Sequence, residues 1–175
     1  MATWKSRGLR GSFLEDMINK TNSIYEENKL ALIQKIPTPI TPVDMNEKKQ
    51  ITLAYFDKKS TVDYIGAVQG IPICFDAKEC RTDTFALANV HEHQIDFMRK
   101  FEEQGGVSFI LINYTERDEF YYMRLSELNV FWERMQNGIR KSFRYDELNS
   151  DYFIKTGNGL MIPYLEYIQK DIDER

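Results

Sequence analysis

Residues 61–78 read Thr-Val-Asp-Tyr-Ile-Gly-Ala-Val-Gln-Gly-Ile-Pro-Ile-Cys-Phe-Asp-Ala-Lys, and their reading decides the fold. Thr61–Val68 has the makeup of a strand, Gln69-Gly70 that of a tight turn, and Ile71–Phe75 is a short apolar run. The pattern predicts two antiparallel strands in a hairpin. A turn centred between 69 and 70 sets positions 63 and 76 opposite one another. Strand residues two apart share a face, so Asp76 and Lys78 point together provided the second strand runs on that far.

Outward from this hairpin, hydrophobic spacing supplies the remaining elements. Ser12-Phe13-Leu14-Glu15 reads as a capping box, followed by Leu14, Met17, Ile18, Thr21 and Tyr25 at helical spacing, which predicts a helix over 12–28. Leu30–Ile36 is a short strand stopped by Pro37-Thr38-Pro39, and residues 40–56 read as a protruding hairpin with the polar tip Asn46-Glu47-Lys48-Lys49. A helix is expected over Val90–Gln104, closed by Gly105-Gly106, and then the near-continuous apolar strand Val107–Tyr114 of a covered sheet. Phe120–Leu125 pairs with it, Ser126 caps a helix to about Gln136, and Pro163 opens a last helix carrying Leu165, Ile168 and Ile172. The expectation is one α/β domain over 1–175, with a flexible basic arm at 1–11.

A chain of 175 residues can bury a sizeable single core, and 42% hydrophobic with 29% charged residues excludes a mainly disordered polymer. No apolar run reaches bilayer length, and no apolar leader follows the N-terminal charges, so a cytoplasmic protein without a membrane is expected. Cys74 and Cys80 are too few for a disulfide scaffold and suit a reducing compartment. Cys-x5-Cys with His91-x-His93 matches no common zinc spacing. A net charge of -4 argues on its face against nucleic acid as a partner. The distribution says otherwise: residues 1–60 hold 10 basic and 7 acidic side chains, 61–115 hold 4 and 8, and 116–175 hold 9 and 12.

The constellation that could do chemistry is Asp63, Asp76 and Lys78. Two carboxylates converging at a hairpin end are what Mg²⁺ needs, a hard cation that takes oxygen ligands and keeps several waters. A neighbouring ammonium would orient or deprotonate the attacking water and offset charge in a phosphoryl transition state. The plainer alternative is a salt-bridged strand end of little energetic weight.

Asp63…Asp76-Ala77-Lys78 resembles the PD-(D/E)xK nuclease signature, and its surroundings resemble the RecU family of Holliday-junction resolvases. The likeness includes Arg10-Gly11, Leu14-Glu15-Asp16, Asn19-x-Thr21-Asn22-x-x-Tyr25, Lys35-x-Pro37-Thr38-Pro39 and Ala54-Tyr55-Phe56. It continues through Thr61-x-Asp63-Tyr64-x-Gly66, Phe75-Asp76-Ala77-Lys78-Glu79, Phe85-x-Leu87, His91-x-His93-Gln94-Ile95, Phe131-Trp132-x-Arg134 and Arg140-Lys141-Ser142-x-Arg144-x-Asp146-Glu147-Leu148. The resemblance implies a restriction-endonuclease-like mixed sheet flanked by helices, with residues 40–56 as a stalk that enters the open centre of a four-way junction. It implies Asp63 and Asp76 as metal ligands with Thr61 and Gln94 completing the environment, Mg²⁺ as cofactor with Mn²⁺ as its expected substitute, and Lys78 as transition-state stabiliser. It further implies a homodimer making paired symmetric nicks, with recombinase or branch-migration proteins as candidate partners. Asp76 stands where that family usually has Glu, and the short stalk and N-terminal stretch would suit a bacteriophage-encoded member.

Arg10, Lys48, Lys49, Phe56, Arg81, Arg140 and Lys141 are the DNA-binding candidates, and Glu15 is an ancillary candidate whose capping duty also explains it. The competing functions are a related nuclease acting on flaps or duplex ends and a non-catalytic DNA-binding recombination module.

Overall fold

A turn in which two consecutive residues sit at positive φ joins the strands of the decisive hairpin. Gln69 has φ 49° and Gly70 φ 89°, the pairing that lets a two-residue loop follow the twist of its strands. The Gln69 side-chain amide donates to the carbonyls of Lys29 and Leu30 at 3.0 and 3.2 Å, which fixes the non-glycine member of the turn. The computed structural model describes residues 13–56, 61–156 and 160–175. The expected basic arm, with Arg10, and the Ser12 half of the capping box lie outside the described residues.

Along the chain come α1 (Phe13–Glu27), β1 (Ala31–Lys35), β2 (Ile40–Met45), β3 (Ile51–Phe56), β4 (Tyr64–Val68), β5 (Ile71–Cys80) and β6 (Thr84–Ala86). They are followed by α2 (Glu92–Glu103), β7 (Val107–Tyr114), β8 (Glu119–Arg124), α3 (Leu125–Gln136), β9 (Ser142–Arg144), β10 (Phe153–Ile154) and α4 (Leu165–Asp173). Six strands form one mixed sheet in the order β1-β4-β5-β7-β8-β10. Its central pair, β5 and β7, is parallel from Ile73 opposite Val107 to Cys80 opposite Tyr114, and the other neighbours are antiparallel. Every residue of β7 is buried, as a strand covered on both faces must be.

Alternation along β5 and β7 assigns the two faces. The Ser108 hydroxyl donates to the Met98 carbonyl of α2 at 3.1 Å and meets the Cys74 thiol at 3.2 Å. The adjacent positions Phe75 and Phe109 turn the opposite way, 5.3 and 5.8 Å from the Tyr164 ring just ahead of α4. Helices α2 and α3 therefore cover one face, and α1 and α4 the other. On the second face the rings of Tyr64, Phe75, Phe109 and Tyr122 stack in series at 4.7, 4.7 and 4.4 Å, a continuous aromatic row across four strands. Burial of such rings is the largest apolar contribution to the core. No described helix is long and apolar enough to cross a membrane.

Several boundaries differ from the sequence reading for local reasons. β4 begins at Tyr64 rather than Thr61, because the Asp63 N–H leaves the ladder to bond a side chain. Helix α2 begins at Glu92 with His91 as its N-cap. It ends in a Schellman arrangement: Gly106 N donates to the Phe101 carbonyl at 3.2 Å and Gly105 N to that of Glu102 at 2.9 Å. Ser126 caps nothing: α3 starts one residue earlier, after Arg124. Helix α4 starts at Leu165, two residues beyond Pro163. The paired short strands β6 and β9 carry too few residues to show a period in sequence.

Gly66 marks the tightest approach between β4 and β1. A Cβ there would lie 2.2 Å from the Leu32 carbonyl oxygen and 2.7 Å from Ile33 Cα, both backbone atoms. Gly66→Ala is expected to lower stability by about 1–3 kcal/mol, as overpacking does. Urea denaturation checks it, and an unchanged midpoint would show that the strands separate freely.

Candidate active site

The hairpin register does the first part of the assembly. Tyr64 pairs with Phe75 and Val68 with Ile71, so the next position out sets Asp63 against Asp76. There the chain exchanges ladder bonds for side-chain bonds. The Asp63 N–H donates to Asp76 Oδ1 at 3.0 Å, and Asp63 Oδ2 accepts the Ala77 N–H at 2.9 Å. Strand β5 runs on to Cys80, so Asp76 and Lys78 do share a face, the one covered by α2. Lys78 Nζ lies 2.5 Å from Asp76 Oδ2.

Helix α2 supplies the fourth group. Gln94 Nε2 donates to Asp76 Oδ2 at 2.8 Å, while Gln94 Oε1 accepts the His91 N–H at 3.0 Å. Because both ends of the amide are engaged, the side chain cannot flip without losing a bond. Its donor end is thus fixed toward the carboxylate. The His91 and His93 rings stack at 5.4 Å beside it.

Asp76 has no solvent exposure, and Lys78 is 19% exposed. Burial pushes the Asp76 carboxyl from 3.8 up to about 6. The Lys78 ammonium pulls it down, and the Asp63 carboxylate pushes it up again. Desolvation wins although a lysine sits in contact, and the two carboxylates outnumber the one ammonium. The Cys74 thiol, on the same face, is pushed up to about 12 by burial and behaves as a small hydrophobe.

The donors at this point suit a hard divalent cation. Asp63 Oδ1 accepts no hydrogen bond from the described residues, and the second carboxylate carries a charge that burial disfavours. Two carboxylates are the number magnesium usually takes from a protein, the rest of its shell being water and substrate. Among the described residues no group of three or more His, Cys, Asp or Glu could hold a metal.

The other candidates do not converge on this point. Thr61 lies two residues before Asp63, half-buried. Glu15 Oε2 pairs with Lys35 Nζ at 2.8 Å, and the Leu14 N–H reaches Glu79 Oε1 at 3.4 Å, fastening the first turn of α1 to β1 and β5. Lys48 and Lys49 are exposed in the β2–β3 turn, where Asn46 Oδ1 accepts both the Lys48 and Gln50 N–H at 3.0 Å. Phe56 is 76% exposed at the end of β3. Arg81 pairs with Glu116 at 2.9 Å, and Arg140 with Glu147 at 3.1 Å. Lys141 is exposed. The role of His91 in holding Gln94 was missed from sequence because it acts through a backbone N–H, which any residue but proline supplies.

Comparisons with known proteins were made on the whole chain. A family model described as Recombination protein U matches residues 9–170. The Holliday junction resolvase RecU of Levilactobacillus brevis is 41% identical over 169 residues, covering 93% of this chain and 84% of that protein. That of Oceanobacillus iheyensis is 42% identical over 167 residues, with 92% and 85% covered. That of Staphylococcus aureus is 39% identical over 162 residues, with 90% and 74% covered. Among solved structures, the Holliday junction resolvase Hjc of Archaeoglobus fulgidus aligns with a TM-score of 0.40 at 5% identity, over 63% of this chain and 76% of that one, a likeness too slight to carry weight.

A pH dependence follows from the buried acid. With a folded-state value of about 6 against 3.8, the folded chain holds this proton more tightly than the unfolded chain. The contribution is fully present below about pH 4 and is lost as pH rises through 6. Asp76→Asn is therefore expected to be more stable than wild type at pH 7.5 in chelator, by up to about 3 kcal/mol. The gap should close below about pH 4. Thermal melts across that range check it; a gap that does not vary with pH would refute the assignment of a disfavoured charge.

Proposed function

Because the chain belongs to the Recombination protein U (RecU) family, whose model spans residues 9–170, we propose that it resolves Holliday junctions as a structure-selective endodeoxyribonuclease. The observation that carries this reading is the meeting of Asp63, Asp76, Lys78 and Gln94 at one end of the β4–β5 hairpin. Asp63 and Asp76 hold a divalent cation, magnesium, with manganese as a substitute, and Thr61 borders the site. When bound, the cation supplies Lewis-acid polarisation of a phosphoryl oxygen and lowers the pKa of bound water. Lys78 offsets charge developing on the phosphate and orients the attacking water. Gln94 keeps the Asp76 carboxylate in one orientation, so that positioning precedes substrate.

The β2–β3 hairpin is the DNA-engaging stalk in this reading. Among the described residues it holds seven of the thirteen exposed large hydrophobics, from Ile40 to Phe56, and it packs chiefly on itself. A lone two-stranded hairpin is marginal in water, which supports its being covered when the protein works. Arg10, Lys48, Lys49 and Lys141 follow the phosphate backbone. Arg81 and Arg140 would first have to give up their acidic partners, Glu116 and Glu147. Paired nicks on opposing strands need two sites related by a two-fold axis, and a homodimer supplies them.

Purified protein with Mg²⁺ is expected to nick four-way junctions symmetrically, in preference to flaps and linear duplex. Asp63→Ala or Lys78→Ala should lower the rate by about 10²- to 10³-fold, the range for loss of one principal electrostatic group, while junction binding in gel shifts persists. Normal cutting by either variant would remove those residues from the site, and equal cutting of all three substrates would remove the junction. Light scattering at micromolar concentration should give a dimer mass; a monomer would argue against paired nicking by one assembly.

A further inference from the structure

A sheet of six strands ends in two edges, and this chain treats them differently. At β10 the Tyr167 hydroxyl of α4 donates to the Phe153 carbonyl at 2.8 Å and accepts the Lys155 N–H at 3.0 Å, so a side chain occupies that edge. At β1 nothing comparable is found among the described residues. The Ile36 N–H donates to the Asp63 carbonyl at 2.8 Å, and these two positions continue the β1–β4 register. Backbone groups alternate in direction along an antiparallel ladder, so Gln34 and Leu32 also bond inward. Ala31, Ile33 and Lys35 therefore turn their N–H and C=O groups outward, and no described residue takes them. Such an edge is a template for another strand. Its charged member, Lys35, is turned to Glu15 at 2.8 Å.

The surface beside the open edge is apolar. Leu32, Ala67 and Pro72 lie in register across β1, β4 and β5, on the face that α2 covers further in. Here they stay open: Leu32 is 64% exposed, Ala67 and Pro72 are exposed beside it, and Leu30 just before is 44% exposed. A hollow of about 460 Å³ adjoins the strand, with Ala31, Leu32 and Ala67 in its wall together with Glu26 and Lys29 from the end of α1.

Resting on the homodimer reading above, we infer that a second copy of this chain pairs its β1 antiparallel to this β1, with Ile33 on the two-fold axis. A strand can pair with itself in this way and give both copies the same contacts. The strand also sets the register. With Ile33 on the axis, all three outward residues are matched, and the partner's Lys35 lies opposite Ala31, which shares the hollow with Glu26. A shift by two toward α1 opposes Lys29 to the partner's Lys35, two like charges, and Lys29 has already left the strand at φ 57°. A shift the other way brings in Pro37, which has no N–H to give. The axis stands normal to the sheet, so both copies turn the face carrying Asp76 and Lys78 to the same side. Paired nicks in one substrate require that arrangement.

Mixing Leu32→Cys protein with Gln34→Cys protein under mild oxidation tests the register. In the proposed pairing these two positions face each other across the axis as a non-hydrogen-bonded pair, close enough for a disulfide, while the native Cys74 and Cys80 are buried. The mixture is expected to give a covalent dimer, and either variant alone much less. Leu32→Lys places a charge on the open edge. It is expected to halve the mass seen in light scattering at micromolar concentration while its circular dichroism stays that of a folded protein. With Mg²⁺ it should nick four-way junctions singly and lose the paired cuts. A Leu32→Lys protein that stays dimeric overturns this interface, and so does a wild-type dimer whose cysteine variants form no mixed disulfide; either result leaves the homodimer reading standing. If Leu32→Lys does not fold, the mixed disulfide decides alone. A wild type that is monomeric both alone and with junction overturns the homodimer and this inference together.

Discussion

One carboxylate out of water organises this molecule. A buried charge is tolerated only when its surroundings supply donors and a compensating ion, and Asp76 draws each from a different part of the chain. The bend before β4 gives a backbone N–H, β5 gives its own Lys78, and α2 gives the amide of Gln94. The three converge only if the hairpin keeps its register and α2 keeps its place over the sheet. A slip of one residue in β5 would turn Asp76 and Lys78 to the aromatic face, beside Phe109 and Tyr164.

Even so supplied, the carboxylate is not at ease, since burial outweighs the adjacent lysine. That residual strain distinguishes the cluster from an ordinary ion pair at a strand end. An exposed pair such as Arg81–Glu116 contributes little. Here the same chemical types, moved into the interior, leave a site with an unmet demand for positive charge.

Much of this was legible in residue order, and the limits have physical causes. The 63–76 correspondence follows from turn position alone, because the turn fixes the register of an antiparallel hairpin. Gly105-Gly106 announced the end of α2 because Gly105 takes up φ 83°, where glycine is favoured. Residues 61–63 read as strand because propensity cannot see that Asp63 will give its N–H to a side chain across the hairpin. Gln94 came from family likeness and not from spacing, since an 18-residue separation between it and Asp76 carries no periodic signal. The C-terminal basic cluster looked available for phosphate, yet Arg134 and Arg140 share Glu147 and Arg144 holds Asp146. Side-chain pairing of that kind is decided by tertiary neighbours.

The parallel pairing of β5 with β7 has a consequence for how the enzyme comes into being. Parallel neighbours cannot be joined by a tight turn, and the connection from Cys80 to Val107 carries β6 and α2. The β4–β5 hairpin, with both acids and the lysine, is local and can form early. Gln94 arrives only when the crossover closes, and long closures are the slow steps of folding. The acids and the lysine therefore meet first, and the group that orients Asp76 is added at the end. A chain still emerging from synthesis holds the parts of a nuclease before it holds a finished one.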